Sequence, residues 1–456
     1  MAEPIPLDPL AAMDGAIIPE GWVARQFANT YKGKLLYCHT HKSWFQFDGA
    51  IWRRQEAPVA YRLIHDLSTK MSAEANAKNL IKMQSASYAG GVEQLARASE
   101  IFSKVGTDWD KDLWTMGTPN GAIDLRSGNS IRPKAADMIT KSVSVTPSEI
   151  EDCPMWDAFL EEATGEDRDL IRFLQQLCGY ALTGDISEQS LFFVFGNGGN
   201  GKGVFLSTVQ AILGDYSVVS SMETFEPQKF TSNTADLAMM RGARLVSASE
   251  GDEDSTWNTK RVKLLTGGDQ ITARYLYANP ITFTPQFTLL IISNHKPNLA
   301  TVDDAMRRRV NMIPFTRKPK KKDPQLVEKL REEWPGILRW MINGCLDWQR
   351  NGLVRPAVVL EATDKYFEDQ NTMQEWVDSY CDVDRTNPHW TASTLELFNS
   401  WSKYCKAIGE LPGASKSFKQ SMERLGFVYK RTATFRGFVG VKLPNPASHS
   451  ADGFPD

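Results

Sequence analysis

"FGNGGNGKGVFL", residues 195–206, decides how this chain is read. It nearly matches the phosphate-binding pattern G-x-x-x-x-G-K-S/T. Gly196, Gly201 and Lys202 are in register, and Gly203 stands where the hydroxyl belongs. The wider text "LFFVFGNGGNGKGVFLSTVQAIL" reads as strand, loop and helix in that order. Backbone N–H groups of Gly196, Asn197, Gly198, Gly199, Asn200, Gly201, Lys202, Gly203 and Val204 are expected to converge on a polyphosphate. The positive end of a helix starting near Gly201 adds to them. Lys202 can reach the β- and γ-phosphates. Gly203 removes the usual magnesium ligand. A water could take that place, and Ser207, one turn further on the same helix face, is positioned in sequence to orient it.

Two more apolar runs carry the rest of a nucleotide site. "ARLVSASEGDED" leads from a strand into an acidic cluster, and Glu250 at its end is the expected metal-holding acid beside the attacking water. Asp252 and Glu253 are weaker candidates. "FTLLIIS" ends at Asn294, where a polar side chain can orient water and sense the γ-phosphate. "DDAMRRRVNMIPF" then offers Arg307, Arg308 and Arg309, of which one or two fit an arginine finger reaching a neighbouring subunit's nucleotide. Short β-branched runs separated by helices suit buried strands of a parallel sheet. The fold class is therefore α/β.

Around this core the text changes character. Residues 30–55 read as a β-hairpin, with "SWFQF" and "AIWRR" flanking Asp48-Gly49. Asn120-Gly121, "AIDL" and Ser127-Gly128-Asn129 form a second β unit. "YRLIHDLSTKM" and "GVEQLARASEIFSKV" have helical spacing. Arg317 to Lys322, "RKPKKK", reads either as a solvated linker or as a DNA contact. Residues 374–443 read as three helices and two strands around a basic turn, a winged-helix pattern. Ser417 is its expected recognition-helix N-cap, with Lys416, Lys419 and Arg424 available to phosphate. The tail from Pro444 is expected to be disordered. The expected domains are an α+β domain at 1–145, the ATPase core with helical connectors at 146–352, and the winged-helix-like region with its tail at 353–456.

Bulk composition limits the alternatives. The 456 residues are 42% hydrophobic and 23% charged, which fits a soluble globular chain, and no apolar run approaches a membrane span. "MAEPIPLDPL" does not read as a targeting peptide. A net charge of −3 confines any nucleic-acid contact to local patches. Six scattered cysteines fit free thiols in a reducing cytoplasm. "CHTH" at 38–41 is too crowded for a zinc site. Asp108 and Asp110 of "DWD" are the one pair that invites a two-metal reading, yet they lie in a polar loop and not after an apolar strand.

In that order, "GNGGNGKG", "SASEGDE", "VKLLTGGDQITAR", "SNHKP" and "RRRVNMIPF" resemble the superfamily 3 helicases. The likeness is to the helicase part of phage and plasmid primase–helicases, which is related to the poxvirus primase–helicase. It extends over about residues 20–440 and includes "WDKDLWTMGTPNGAIDLRSG" and "FLQQLCGYALTGD". The resemblance implies an AAA+-like P-loop core, ATP and Mg2+ as cofactors, and a ring, usually hexameric, moving 3′ to 5′ on single-stranded DNA. It implies Lys202 on phosphate, Glu250 as the Walker B acid holding Mg2+, Asn294 as sensor 1, and Arg308 and Arg309 as fingers. Lys263, Arg274 and Tyr277 become the DNA-side residues, Tyr277 by stacking on a base, because the hairpin tip "YLYANP" has no lysine. Replication forks, a separate primase or polymerase, and a bacterial host cytoplasm complete what it implies; the chain reads as the helicase without its own primase. Two other readings remain at this stage: an ATP-switched DNA-binding initiator without unwinding activity, and a P-loop kinase.

Overall fold

In the computed structural model, which describes residues 17–226, 234–249, 256–277, 279–299, 303–319, 322–407 and 412–444, the apolar runs form a five-stranded parallel sheet. Its strands are β1 (Leu191–Phe195), β2 (Ser217–Val219), β3 (Leu245–Ser249), β4 (Thr288–Ser293) and β5 (Val310–Pro314), in the order β5-β1-β4-β3-β2. Leu191, Phe192, Phe193 and Val194 of β1 are wholly buried. Each such side chain contributes about 1.5–3 kcal/mol on leaving water. The register aligns Phe195 with both Ser293 and Pro314, and Ser249 with Ile292. The carboxyl ends of β1, β3 and β4 therefore share one edge, the edge at which open α/β sheets bind ligands.

This sheet lies in a unit made of residues 153–210, 217–333 and 350–456. Helix α1 (Pro154–Thr164) opens it with proline at its start. The Glu333 carboxylate accepts the Met155 and Trp156 N–H groups, both at 3.0 Å, and so caps it. Helix α2 (Lys202–Leu213) follows the glycine loop, and α3 (Thr259–Thr266) precedes a short hairpin of Ile271–Ala273 with Ile281–Phe283.

Helix α4 (Ala357–Tyr380) is 24 residues long, and its first half is tied to the sheet region. Thr363 Oγ1 accepts the Met312 N–H at 3.0 Å, and the Tyr366 hydroxyl donates to the Pro297 carbonyl at 2.7 Å. There follow strand Thr391–Ser393, helices Thr394–Ala407 and Ser415–Arg424, and strands Val428–Arg431 and Arg436–Val439. The first of these strands was not read from the sequence; it pairs with the last and makes a three-stranded sheet. Trp376, Leu397, Phe418, Met422 and Phe438 form the local core. Ser417 is not the N-cap. Ala414 holds that position, and the Ser417 hydroxyl donates back to its carbonyl at 2.7 Å.

The other unit takes the described residues up to Asp152 with 211–216 and 334–349. Residues 334–349, expected in the ATPase core, belong here because Arg339 donates to the Ser148 and Gly128 carbonyls at 2.7 and 3.0 Å. The expected hairpin forms, with Phe47 opposite Trp52. Its turn is wider than a two-residue one, since Asp48 Oδ1 accepts the N–H groups of Ala50 and Ile51 at 2.8 Å each. The helix read to about residue 105 stops at Arg97, and Ser103–Lys104 instead extends the sheet alongside Tyr37–Cys38. Asp108 caps Val105 N–H and pairs with Lys111, while Asp110 accepts the Thr140 N–H. Asp108 thus holds its own loop, and Asp110 ties that loop to the segment at Thr140.

Candidate functional site

The glycine loop has the backbone that its composition demands. Gly196, Gly199 and Gly201 have φ of +151°, +79° and +89°. A side chain at Gly196 would collide with the Phe315 carbonyl, and one at Gly201 would meet the Phe159 ring at 2.8 Å. Only glycine fits both sites. The Asn200 amide anchors the loop by donating to the Phe315 carbonyl.

Lys202 begins α2 and is 6% exposed. Its ammonium donates to the Gly196 carbonyl at 2.6 Å, to Asn200 Oδ1 at 3.0 Å and to Asn294 Oδ1 at 3.0 Å. Among the described residues no carboxylate pairs with it. Burial lowers its pKa. A buried cation held only by neutral acceptors fits an anionic ligand such as a polyphosphate. Asn294 is brought there because Ser293, just before it, aligns with Phe195. Two predicted residues 92 positions apart therefore meet.

Gly203 faces open space, with nothing within 4 Å of a Cβ built on it. Ser207, expected to orient a water, donates instead to the Val204 carbonyl at 3.2 Å. Glu250, Asp252 and Glu253 lie outside the described residues. Ser249, directly before Glu250, ends β3 at the shared edge.

The three arginines separate. Arg307 lies over the Phe367 ring at 5.1 Å. Arg309 is 6% exposed and donates to Thr266 Oγ1 at 3.1 Å, Ala305 O at 2.9 Å and Gln189 Oε1 at 3.2 Å. Burial and the neighbouring Arg308 charge lower its pKa. Arg308 alone of the three is exposed with no partner among the described residues. Of the two finger candidates, Arg308 is exposed and Arg309 is held inside its own fold.

Lys263 is likewise engaged within the chain, at the surface. Its ammonium pairs with Asp303, which caps the short helix Asp304–Arg307 through the Met306 N–H at 2.9 Å. The Lys263 hydrogen bond and the helix cap hold the Asp303 carboxyl below its ordinary range. Arg274 and Tyr277 lie on the hairpin loop with exposed side chains. Tyr277 is fully exposed and has φ of +58°, an uncommon backbone for a bulky residue. The Tyr275 hydroxyl anchors the loop to the Ala238 carbonyl at 2.8 Å.

Beside the loop is a cavity of about 570 Å³ that sequence reading missed. Helix α1 and the stretch after β5 contribute its walls, so no single motif marks it. Met155, Phe159, Val204 and Leu326 supply apolar surface, and charge of both signs comes from Arg317, Lys322 and Lys329 and from Glu162 and Asp323. Phe159 leans on Trp156, which stacks on Phe205, so the floor is a packed aromatic slab.

Known proteins match both parts of the chain. The family described as D5 N terminal like matches residues 24–165, and a family of unknown function (DUF5906) matches residues 194–309. A protein of Acanthamoeba polyphaga mimivirus named "Putative helicase L207/L206" is 28% identical over 67% of this chain. One of Frog virus 3 named "Putative helicase 022R" is 27% identical over 51%. The matched stretches are 34% and 26% of those proteins. A solved structure of the NrS-1 C-terminal region covers 93% of the chain at 9% identity with a TM-score of 0.49. The viral relatives bear out the resemblance to the superfamily 3 helicase part of phage-type primase–helicases.

Proposed function

We propose that this chain is the ATP-hydrolysing module of a replicative DNA helicase, with an AAA+-like P-loop core. The observation that carries the reading is Lys202, a buried ammonium at the head of α2, without a counter-charge among the described residues and in contact with Asn294. Residues 196–204 cradle the phosphates, and Lys202 is turned from its neutral acceptors to the β- and γ-oxygens. Glu250 would hold Mg2+, which would supply charge neutralisation at the phosphates. Glu250 also orients the attacking water, and Asn294 fixes that water against the γ-phosphate. Arg308 acts on the next subunit's nucleotide, with Arg309 setting the turn that presents it. This requires a ring, and a hexamer is the expected form.

Single-stranded DNA is engaged by the hairpin loop, with Tyr277 stacking on bases and Arg274 reaching phosphates. The helix–strand–helix–helix–strand–strand order that begins with α4 supports a winged helix that meets duplex or fork DNA. Of its expected basic contacts, Lys416 is exposed, whereas Lys419 lies over the Tyr429 ring at 3.5 Å. Movement 3′ to 5′ and a separate primase partner follow from the resemblance. One observation favours a second reading, an ATP-switched initiator: Gly203 supplies no metal ligand, and weak metal binding would slow turnover. ATPase activity with and without single-stranded DNA, measured together with particle size, decides. Stimulated turnover by a ring supports the helicase. ATP binding without turnover supports the switch, and phosphate transfer to a second substrate would indicate a kinase.

A further inference from the structure

We propose that Tyr366 and Gln370 of α4 are positioning residues for Asn294, fixing from outside the sheet the loop on which ATP turnover depends. This rests on the reading of Asn294 as the residue that orients water at the γ-phosphate, and adds what holds it there.

Asn294 opens a short loop, 294–297, between the end of β4 and the two-residue strand Asn298–Leu299. The near end is tied to β4, because the His295 N–H donates to Ser293 Oγ at 3.2 Å. The far end is tied to α4. The Tyr366 hydroxyl donates to the Pro297 carbonyl at 2.7 Å, and the Leu299 N–H donates to Gln370 Oε1 at 3.0 Å. Tyr366 is wholly buried, and burial pushes its hydroxyl pKa up, so the hydroxyl stays a donor. Between the two ends, the Lys296 ammonium lies 4.7 Å from the centre of the Phe195 ring, the residue that precedes Gly196. Asn298–Leu299 also pairs in parallel with Thr256–Trp257.

These contacts come from one face of the helix. Thr363, Tyr366, Phe367 and Gln370 are spaced i, i+3, i+4 and i+7. They meet Met312 of β5, Pro297, Arg307 and Leu299 in turn. Asp369 acts on the same loop through charge: burial lowers the Lys296 pKa and the Asp369 carboxylate raises it. Further along, α4 carries Trp376 and Val377 into the core of the last domain. At about 1.5 Å of rise per residue, Gln370 and Trp376 are about 9 Å apart on one helix. A shift of α4 is therefore carried to the Asn294 loop through two hydrogen bonds. A misplacement of about 1 Å at a reacting group can cost about 10²-fold in rate. Lys202 and the glycine loop hold the phosphates independently of this contact, so turnover depends on α4 and ATP affinity does not.

The test measures kcat for ATP and, separately, ATP affinity by calorimetry, on the full chain. Gln370→Leu removes the acceptor at a half-buried site, and Tyr366→Phe removes only the hydroxyl. Each should lower kcat about three- to tenfold and leave ATP affinity within about twofold. Gln370→Glu keeps an acceptor for the Leu299 N–H and should retain turnover. In an Asn294→Ala background neither change should lower kcat further, whereas a purely structural loss would recur in full. Thermal melts set a temperature at which each variant is folded, and Gln370→Leu carries the test where Tyr366→Phe does not fold. Wild-type turnover in Gln370→Leu, an equal loss in Gln370→Glu, or a full loss repeated in Asn294→Ala overturns the positioning and leaves the ATP site standing. Wild-type turnover in Asn294→Ala overturns the reading of Asn294 itself, and the positioning with it.

Discussion

The Lys202 ammonium and the Asn294 side-chain oxygen are 3.0 Å apart, joining the glycine loop to the end of the neighbouring strand. On the proposed reading, the contact ties the cation that would reach phosphate to the residue that would sense the γ-phosphate. In the proposed mechanism, Lys202 turning to phosphate would take the donor from Asn294 and free it to orient water. The two are expected to act as one unit, so their substitutions should not add. Lys202→Ala should abolish ATP turnover and most ATP binding. Asn294→Ala should retain binding and lose turnover by about 10²-fold or more, with little further loss when both are changed. Glu250→Gln should also bind ATP without turning it over. Turnover in Lys202→Ala equal to wild type would sink the site.

Gly203 marks the second prediction. Open space at this position lets a serine enter without strain. Gly203→Ser should restore a hydroxyl ligand and lower the magnesium concentration that half-saturates ATPase activity. An unchanged half-saturation point would mean that water or another ligand already fills the place. The Ser207 hydroxyl hydrogen goes to the Val204 carbonyl in the present arrangement.

How much of this was legible in the sequence follows from the range of the interactions. The strands around "LFFVF" and "FTLLIIS" were readable because buried parallel strands need unbroken apolar runs, and the loop because positive φ needs glycine. The meeting of Lys202 with Asn294 was not, since it depends on which strands are neighbours. The fates of the basic residues were equally hidden. Lys263, Arg308 and Arg309 look alike as letters. Asp303, open solvent and the Thr266–Gln189 pair separate them, and those partners are set by tertiary packing. The wall of the cavity escaped for the same reason, being split between α1 and residues after β5.

The Lys263–Asp303 pair yields a prediction with a definite pH sign. The Asp303 pKa is lowered in the folded chain, chiefly by Lys263. Its contribution to stability is therefore full above the unfolded carboxyl pKa and lost as pH falls through the depressed one. Lys263 and Asp303 are 31% and 45% exposed, so screening keeps this small, below about 1 kcal/mol. Lys263→Ala should cost that amount at neutral pH, and the difference from wild type should vanish in acid. Single-stranded DNA stimulation should survive in Lys263→Ala and fall in Tyr277→Ala. Loss of stimulation in Lys263→Ala at unchanged stability would return Lys263 to the DNA side.

The arginines give the last prediction, because the two neighbours should fail differently. Arg309→Ala leaves Thr266, Gln189 and the Ala305 carbonyl without their donor, so it should destabilise the fold by about 1–3 kcal/mol. Arg308→Ala removes an exposed side chain and should change stability by less than about 0.5 kcal/mol. Its turnover, however, should drop on the order of 10³-fold, about 4 kcal/mol of transition-state stabilisation, with ATP binding intact. Because a finger serves the next subunit, mixing Arg308→Ala with Lys202→Ala should restore activity. In a mixed ring some interfaces join an intact Lys202 to an intact Arg308. A site complete within one chain cannot recover in this way. The measurement is ATPase activity across mixing ratios with single-stranded DNA present and ring formation checked by size. Zero activity at every ratio in verified mixed rings would assign Arg308 no role across the interface, and Arg307, freed from Phe367, would be the next arginine to test.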